Sequence, residues 1–351
     1  MNWLLKLSLL CLLVVLSLSI LPGVVFAEGQ WVLTDQGYKV WDAVALPDDS
    51  ATWSGSADAN GYVTGQGVLQ WYQNGKPGGK YDGNMLNGKI SGKGIYTWAD
   101  GDRYEGDWAN DKINGKGIFT WSNGNRYEGG WTDANRNGRG VMTWADGSRY
   151  EGDWANDKRH GRGILTWASG GRYEGGWVDN MRTGRGIYNW ANGDRYEGDW
   201  VDNNRQGRGI MVWADGSRYE GDWANDKRQG RGFITWGSGT QWAGDRYEGD
   251  WLDDKKTGRA TYTWANGNRY EGQWLDGNYT GRGIMTWASG DRYVGDFLNN
   301  ERNGQGIYTW VSGDRYDGAW YNNKKDGYGT YYFRNGTVQG GRWSNDNYVG
   351  P

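Results

Sequence analysis

A 23-residue unit that opens on Tyr-Glu-Gly-Asp-Trp or a close variant begins at Tyr81, Tyr104, Tyr127, Tyr150, Tyr173, Tyr196 and Tyr219, then at Tyr247, Tyr270, Tyr293 and Tyr316. Every step is 23 residues except the 28 between Tyr219 and Tyr247, and a partial copy starts at Gln339. A fixed period of this size means stacked supersecondary units, each burying its apolar side against its neighbours. The length alone would suggest two globular domains, but a linear array grows without a larger core and replaces that expectation.

The copy from Tyr104 to Arg126 reads as two strands. In the first, Tyr104, Gly106 and Trp108 alternate with Arg103, Glu105 and Asp107, the period of a half-buried strand. In the second, Gly117, Phe119 and Trp121 alternate with Lys116, Ile118 and Thr120. Ala109 to Gly115 reads as a polar loop between them, and Ser122 to Asn125 as the hairpin turn that leads into Tyr127. The composition agrees: 63 glycines, 26 tryptophans and 24 tyrosines with only 4 prolines describe strands and tight turns, because disordered segments lack aromatics.

Glycines recur at four places in the unit. Gly124 follows Asn in the turn, and Gly115 and Gly161 close the polar loop, positions that call for positive φ. Gly106, Gly117, Gly152 and Gly163 fall inside strands on the aromatic side, where glycine weakens a strand unless its empty space is used. We expect neighbouring rings to lie over this bare backbone.

Hairpins pairing edge to edge predict an all-β fold, an elongated single-layer antiparallel sheet of stacked β-hairpins. The expected solenoid-like rod is on the order of 100 Å long and roughly 17 to 20 Å wide. One face carries Tyr104, Trp108, Trp121, Tyr127, Trp131, Trp144, Tyr150, Trp154, Trp167, Tyr173, Trp177, Trp190, Tyr196, Trp200, Trp213, Tyr219, Trp223 and Trp236. These rings form the only core that a single layer can have. Any part left uncovered is a candidate binding face for sugar rings, lipid or a second copy of the chain. The opposite face carries Arg103, Glu105, Asp107 and their equivalents, placed for cross-strand ion pairs. Five extra residues, Thr240 to Gly244, lengthen one hairpin tip and put Trp242 there.

The unit resembles the MORN repeat, with its Tyr-x-Gly-x-Trp opening, polar loop, Gly-x-Gly, aromatic strand and turn glycine. The resemblance covers about Trp53 to Trp343, and Tyr150 to Arg172 is the copy most like the pattern. It implies an elongated hairpin array acting mostly as a scaffold, with membrane-lipid binding proposed for some members. The chain departs from the pattern with Asn-Asp-Lys at Asn110 to Lys112, and with Met85, Phe297 and Phe333 in place of Trp.

Residues 1–27 stand apart: Lys6, an apolar run from Leu7 to Ile20, Pro22, then Val25-Phe26-Ala27. This is the layout of a secretory signal peptide cleaved after Ala27; uncleaved, the run is long enough to anchor the chain in a membrane. The expected organisation is thus a signal peptide at 1–27, an N-terminal cap with a degenerate first copy at 28–80, the array at 81–338 and a partial copy at 339–351. The only cysteine, Cys11, leaves with the signal, which removes disulfides, thiol chemistry and cysteine metal sites from the mature chain. Cleavage takes one of the 39 basic residues and none of the 42 acidic ones, for a net charge of −4. That balance argues against nucleic acid as partner.

No stretch has calcium-loop spacing, and glycoside hydrolysis needs two carboxylates in different surroundings, whereas here every copy repeats the same acids. The sequence therefore predicts no catalytic residues, metal ligands or cofactor. It predicts a non-enzymatic scaffold or adaptor outside the cytoplasm, periplasmic, cell-surface or secreted, that contacts protein (itself or another) or membrane-lipid head groups. The alternative is a cell-envelope glycan-binding module that uses the aromatic strip.

Overall fold

The computed structural model describes residues 29–44 and 46–351. The leader read from residues 1–27, with Lys6 and Cys11, lies outside the described residues. Among those described there are strands and turns and no helix. The chain forms two compact units: one runs to Gly170 and includes Gly176–Asn180, and the other comprises Gly171–Gly175 and Met181–Pro351.

In the first unit the strands are β1 (Gln30–Leu33), β2 (Lys39–Asp42), β3 (Asp49–Trp53), β4 (Ser56–Ala57), β5 (Val63–Gln73), β6 (Lys76–Leu86), β7 (Lys89–Thr97), β8 (Arg103–Ala109), β9 (Lys112–Thr120), β10 (Arg126–Thr132), β11 (Asn135–Thr143), β12 (Arg149–Ala155) and β13 (Lys158–Thr166). From β5 to β13 each strand pairs antiparallel with the next, and β3 and β4 both pair with β5. Among the described residues no pairing returns from β13 to β3, so this single-layer sheet is open. In the second unit the strands from Met181–Asn189 to Asn347–Gly350 pair in the same consecutive antiparallel order. The expected sheet of stacked hairpins is the fold.

β1 and β2 form a separate hairpin that docks on the start of the sheet, with Trp41 N donating to Gly88 O and Lys39 N to Gly61 O. It buries Val32 and Val40, and Val63 and Leu69 are buried in β5.

One sequence expectation is corrected. Ala109 to Gly115 is not a loop: Asn110 and Asp111 make a two-residue turn with φ of 49° and 65°, and β9 begins at Lys112. Two central residues with positive φ define the turn type whose twist matches a hairpin, and Asn and Asp enter that region more readily than other side chains. The glycine expected to close the loop, Gly115, sits inside β9 at φ 110°. The register slips here between Gly106 and Trp108: Asn114, Gly115 and Lys116 stand against the single Asp107, a bulge with two extra residues in β9. The Asp107 carboxylate accepts the Lys116 N–H, which with the Lys93 charge lowers its pKa despite some burial.

Candidate functional site

The tyrosine that opens each copy lies flat on the glycines. Gly106 and Gly117 face each other across β8 and β9, and a Cβ on either would collide with the Tyr104 phenol. At Gly152 an added Cβ would sit 2.5 Å from Gly163 Cα and 2.6 Å from Tyr150 Oη. The phenol uses that space to donate to the carbonyl that the bulge frees: Tyr104 to Asp107 O at 3.1 Å, Tyr127 to Gly130 O at 3.1 Å, Tyr150 to Asp153 O at 3.0 Å. Burial pushes these hydroxyls above their ordinary pKa, keeping them neutral donors.

The first tryptophan of each copy wedges between two tyrosines. Trp131 meets Tyr127 at 5.0 Å and Tyr104 of the preceding copy at 5.8 Å, both edge to face, and its indole N–H donates to Gly117 O. Such T-shaped pairs each add on the order of 1 kcal/mol beyond area burial. The same contact recurs for Trp108, Trp154 and Trp177 in the first unit and Trp200 and Trp223 in the second.

Of the residues expected on the aromatic face, Tyr104, Tyr127, Tyr150, Tyr173, Tyr196 and Tyr219 are fully buried, and Trp108, Trp131, Trp154, Trp177, Trp200 and Trp223 are buried against them. The second tryptophan series, Trp121, Trp144, Trp167, Trp190, Trp213 and Trp236, is half-buried at the hairpin tips. Trp242 is 49 % exposed. The insertion also sets the turn: Gly244, at φ 85°, is the turn glycine, its N–H bonding Trp236 O as Gly124 N–H bonds Trp121 O. The structural glycines Gly106, Gly117, Gly152 and Gly163 lie under phenols, and Gly115, Gly124 and Gly161 hold positive φ.

Sequence reasoning missed a third component, because it lay in the supposed loop. Arg136 projects from β11 onto the next copy, its guanidinium 4.4 Å from the Trp154 ring and 5.8 Å from Tyr127, while its Nε donates to Asp157 Oδ1 at 2.9 Å. Arg159, Arg182, Arg205, Arg228 and Arg302 repeat the stacking on Trp177, Trp200, Trp223, Trp251 and Trp320. The rings are thus capped from within by cations. Asp157 also accepts the Arg136 backbone N–H, so it ties one copy to the next instead of idling in solvent.

The opposite face is the open one. Arg and Glu of each opening strand pair two residues apart along the strand, as Arg103 with Glu105 and Arg126 with Glu128, both at 2.7 Å. The expected cross-strand pairs are fewer, among them Lys93 with Asp107 at 3.0 Å. Between these charges lie half-buried Ile95 and Ile118 and the glycine row. The first unit has a groove of about 1170 Å³ here, lined by Glu105, Ile118, Glu128 and Arg139. A separate groove of about 840 Å³ in the second unit is lined by Glu248, Arg259, Arg282 and Ile284.

No curated protein sequence matches the chain. Among solved structures it is similar to the TCP10 domain of Danio rerio CPAP in complex with a peptide of Danio rerio STIL, at 11% identity and a TM-score of 0.33, over 72% of this chain and 99% of that one. It is also similar to the SAS-4 (dCPAP) TCP domain of Drosophila melanogaster in complex with a Proline Rich Motif of Ana2, at 16% identity and a TM-score of 0.28, over 50% and 86%. Peptide binding is a property of those domains. The MORN repeat model matches eleven times, at residues 81–103, 104–126, 127–149, 150–172, 173–195, 196–218, 219–241, 247–269, 270–292, 293–315 and 316–338. With more than half of its residues in these tandem matches, and with the matches from 104 onward laid out as tyrosine over glycine and tryptophan or phenylalanine between tyrosines, the chain belongs to the MORN-repeat family.

Proposed function

We propose that this chain is an exported, non-enzymatic scaffold whose array holds an extended protein segment, a second copy of itself or membrane-lipid head groups, with protein the favoured partner. The observation that carries this reading is the open groove on the charged face of each unit, which repeats Arg, Glu and Ile from copy to copy over a glycine floor. Repeated chemistry along a sheet suits a linear ligand that crosses several strands, more than a single small substrate. Export rests on the leader read from residues 1–27.

Light scattering with sedimentation, run alongside liposome flotation and selection from a displayed peptide library, tests the reading. Self-association, liposome binding or an enriched peptide consensus supports it. A monomer that binds neither itself, nor liposomes, nor any selected peptide removes it.

The half-buried outer series, Trp121 to Trp236, supports a second reading in which envelope glycan stacks along the hairpin tips. Titration with peptidoglycan fragments should then change tryptophan fluorescence. An unchanged spectrum together with no co-sedimentation excludes it.

A further inference from the structure

Eleven contacts between neighbouring copies share one geometry, in which the second turn residue of a copy gives its N–H to a carbonyl of the copy before. Where that turn residue is Asp157, Asp226, Asp254 or Asp346, the carbonyl belongs to Arg136, Arg205, Arg228 or Lys325, and that cation lies on the adjoining tryptophan. Where it is Ala134, the carbonyl belongs to Ile113, so both charges are gone together. Where it is Asn180, Asn203, Gly277 or Asn323, the cation is kept without a carboxylate, on Arg159, Arg182, Lys256 or Arg302. One contact has the carboxylate without the cation. Asp111 keeps its carboxylate, Trp108 keeps its ring, and the residue that should carry the cation is Ile90.

Nothing among the described residues substitutes for it. Asp111 Oδ1 accepts the Ile90 N–H at 2.7 Å, but Oδ2 is shut off from solvent with no hydrogen-bond partner. Beside it, under the segment that follows β2, is a cavity of about 290 Å³ lined by Trp71, Tyr96, Trp98, Trp108, Asp42 and Asp111. Asp49, also on its wall, turns Oδ2 to the Leu46 N–H. The nearby lysine, Lys89, has its ammonium over Trp41, 5.1 Å away. A buried carboxylate oxygen without a partner is costly, and four aromatic rings around it are the surroundings that accept a cation.

We infer that this cavity binds a small organic cation with a guanidinium head, which takes the place that the Arg136 side chain fills two contacts further along. A planar guanidinium stacks on indole and meets a carboxylate edge-on, the arrangement already present at Trp154 and Asp157. The volume fits a head with a short alkyl tail, at the low end of known ligand cavities. The assignment is independent of the scaffold reading, which concerns the opposite face.

Calorimetric titration of the full chain with agmatine tests it, with N-butylurea as the neutral counterpart. Agmatine should bind saturably, and N-butylurea at least about tenfold more weakly. Asp111→Asn should weaken agmatine by about tenfold or more. Ile90→Arg should fill the site from within, abolishing agmatine binding and raising the melting temperature. A capped Gly-Arg-Gly peptide separates the two sources of the same head: tighter binding than agmatine assigns the site to a partner's arginine, weaker binding to a free cation. The proposal falls if the parent shows no saturable heat up to about 10 mM agmatine, or if Asp111→Asn and Ile90→Arg both bind it as the parent does.

Discussion

Two stretches of the same face solve one problem differently. From Arg136 onward in the first unit, and again from Arg182 to Arg228 in the second, the buried rings are roofed by cations carried on the array itself. At the start of the array Ile90 and Ile113 stand in those positions, and the β1–β2 hairpin with the segment after it lies over Trp71, Tyr96, Trp98 and Trp108. A single-layer sheet has no second layer to cover its aromatic side, so the cover comes either from long side chains with apolar stems or from extra chain. The difference teaches that the tyrosine–glycine–tryptophan ladder is the constant element, and that what lies on it varies by position.

The largest predicted effect tests that constancy. Gly106→Val and Gly152→Val should each cost about 3 kcal/mol locally, because the valine displaces the phenol and strikes the facing strand. Hydrogen exchange read copy by copy is the suitable measurement, since an array need not unfold in one step. If Gly152→Val proved much milder than Gly106→Val, the ladder would not be the shared support of both stretches. The chain already holds a mild version: Ala260 replaces a strand glycine, and the Tyr247 phenol lies 3.0 Å from the point where a Cβ on Gly249 would fall, farther than at the equivalent glycines.

The next effect is a difference of sign. Asp157→Ala removes the acceptor of both the Arg136 N–H and its guanidinium, and should destabilise that contact by about 1 to 2 kcal/mol after allowance for partial exposure. Asp111→Ala, at the matching position without a cation, should be neutral or stabilising in the absence of ligand. Equal losses at the two sites would show that Asp111 already has a cationic partner.

Much of this was legible in the sequence, and the failures have a common origin. The period gave the copies, and alternation by two gave the strands and the side on which Tyr104, Gly106 and Gly117 lie. The turn was missed because Asn110-Asp111 lacks the Asn-Gly pair that marks a two-residue hairpin, so polar residues of β9 were assigned to a loop. That error hid the arginines: counting back by twos from Gly140 passes through Gly138 to Arg136, on the ring side. The empty place opposite Asp111 was equally visible once Ile90 is aligned with Arg136. Burial of the rings was not readable from one copy, because the cover comes from the neighbouring copy.

Acidity separates the two stretches further. Burial pushes the Asp111 carboxyl up to about 6, with the Ile90 N–H and Lys89 opposing the rise and Asp42 adding to it. Between the ordinary carboxylate value near 4 and about 6, the folded chain holds a proton that the unfolded chain has lost, so stability near Asp111 should rise as pH falls through that window. Lys256, whose turn neighbour is Gly277, is the converse: burial lowers it to about 8, with Asp245 opposing and Arg228 adding. Between about 8 and 10.5 the unfolded chain holds the extra proton, so stability there should rise with pH. Exchange rates of the Asp111 copy at pH 5 and 7, and of the Lys256 copy at pH 7 and 9, check both signs. Asp111→Asn should flatten the first, and added agmatine should reverse it, since a bound cation favours the ionised carboxylate.

The smallest effect belongs to the open face, where the two stretches are alike. Arg103 pairs with Glu105 and Arg126 with Glu128 at the same 2.7 Å, each partner 40 % or more exposed. Exposed pairs of this kind contribute a few tenths of a kcal/mol and fade with salt. Arg103→Ala and Arg126→Ala should therefore leave local exchange almost unchanged, and equally so, whichever roof covers the far side. Since these charges add so little to folding, a large loss of peptide or liposome binding in Arg126→Ala would report on the groove and not on the sheet. A loss of stability above about 1 kcal/mol would instead make the charged face part of what holds the copies together.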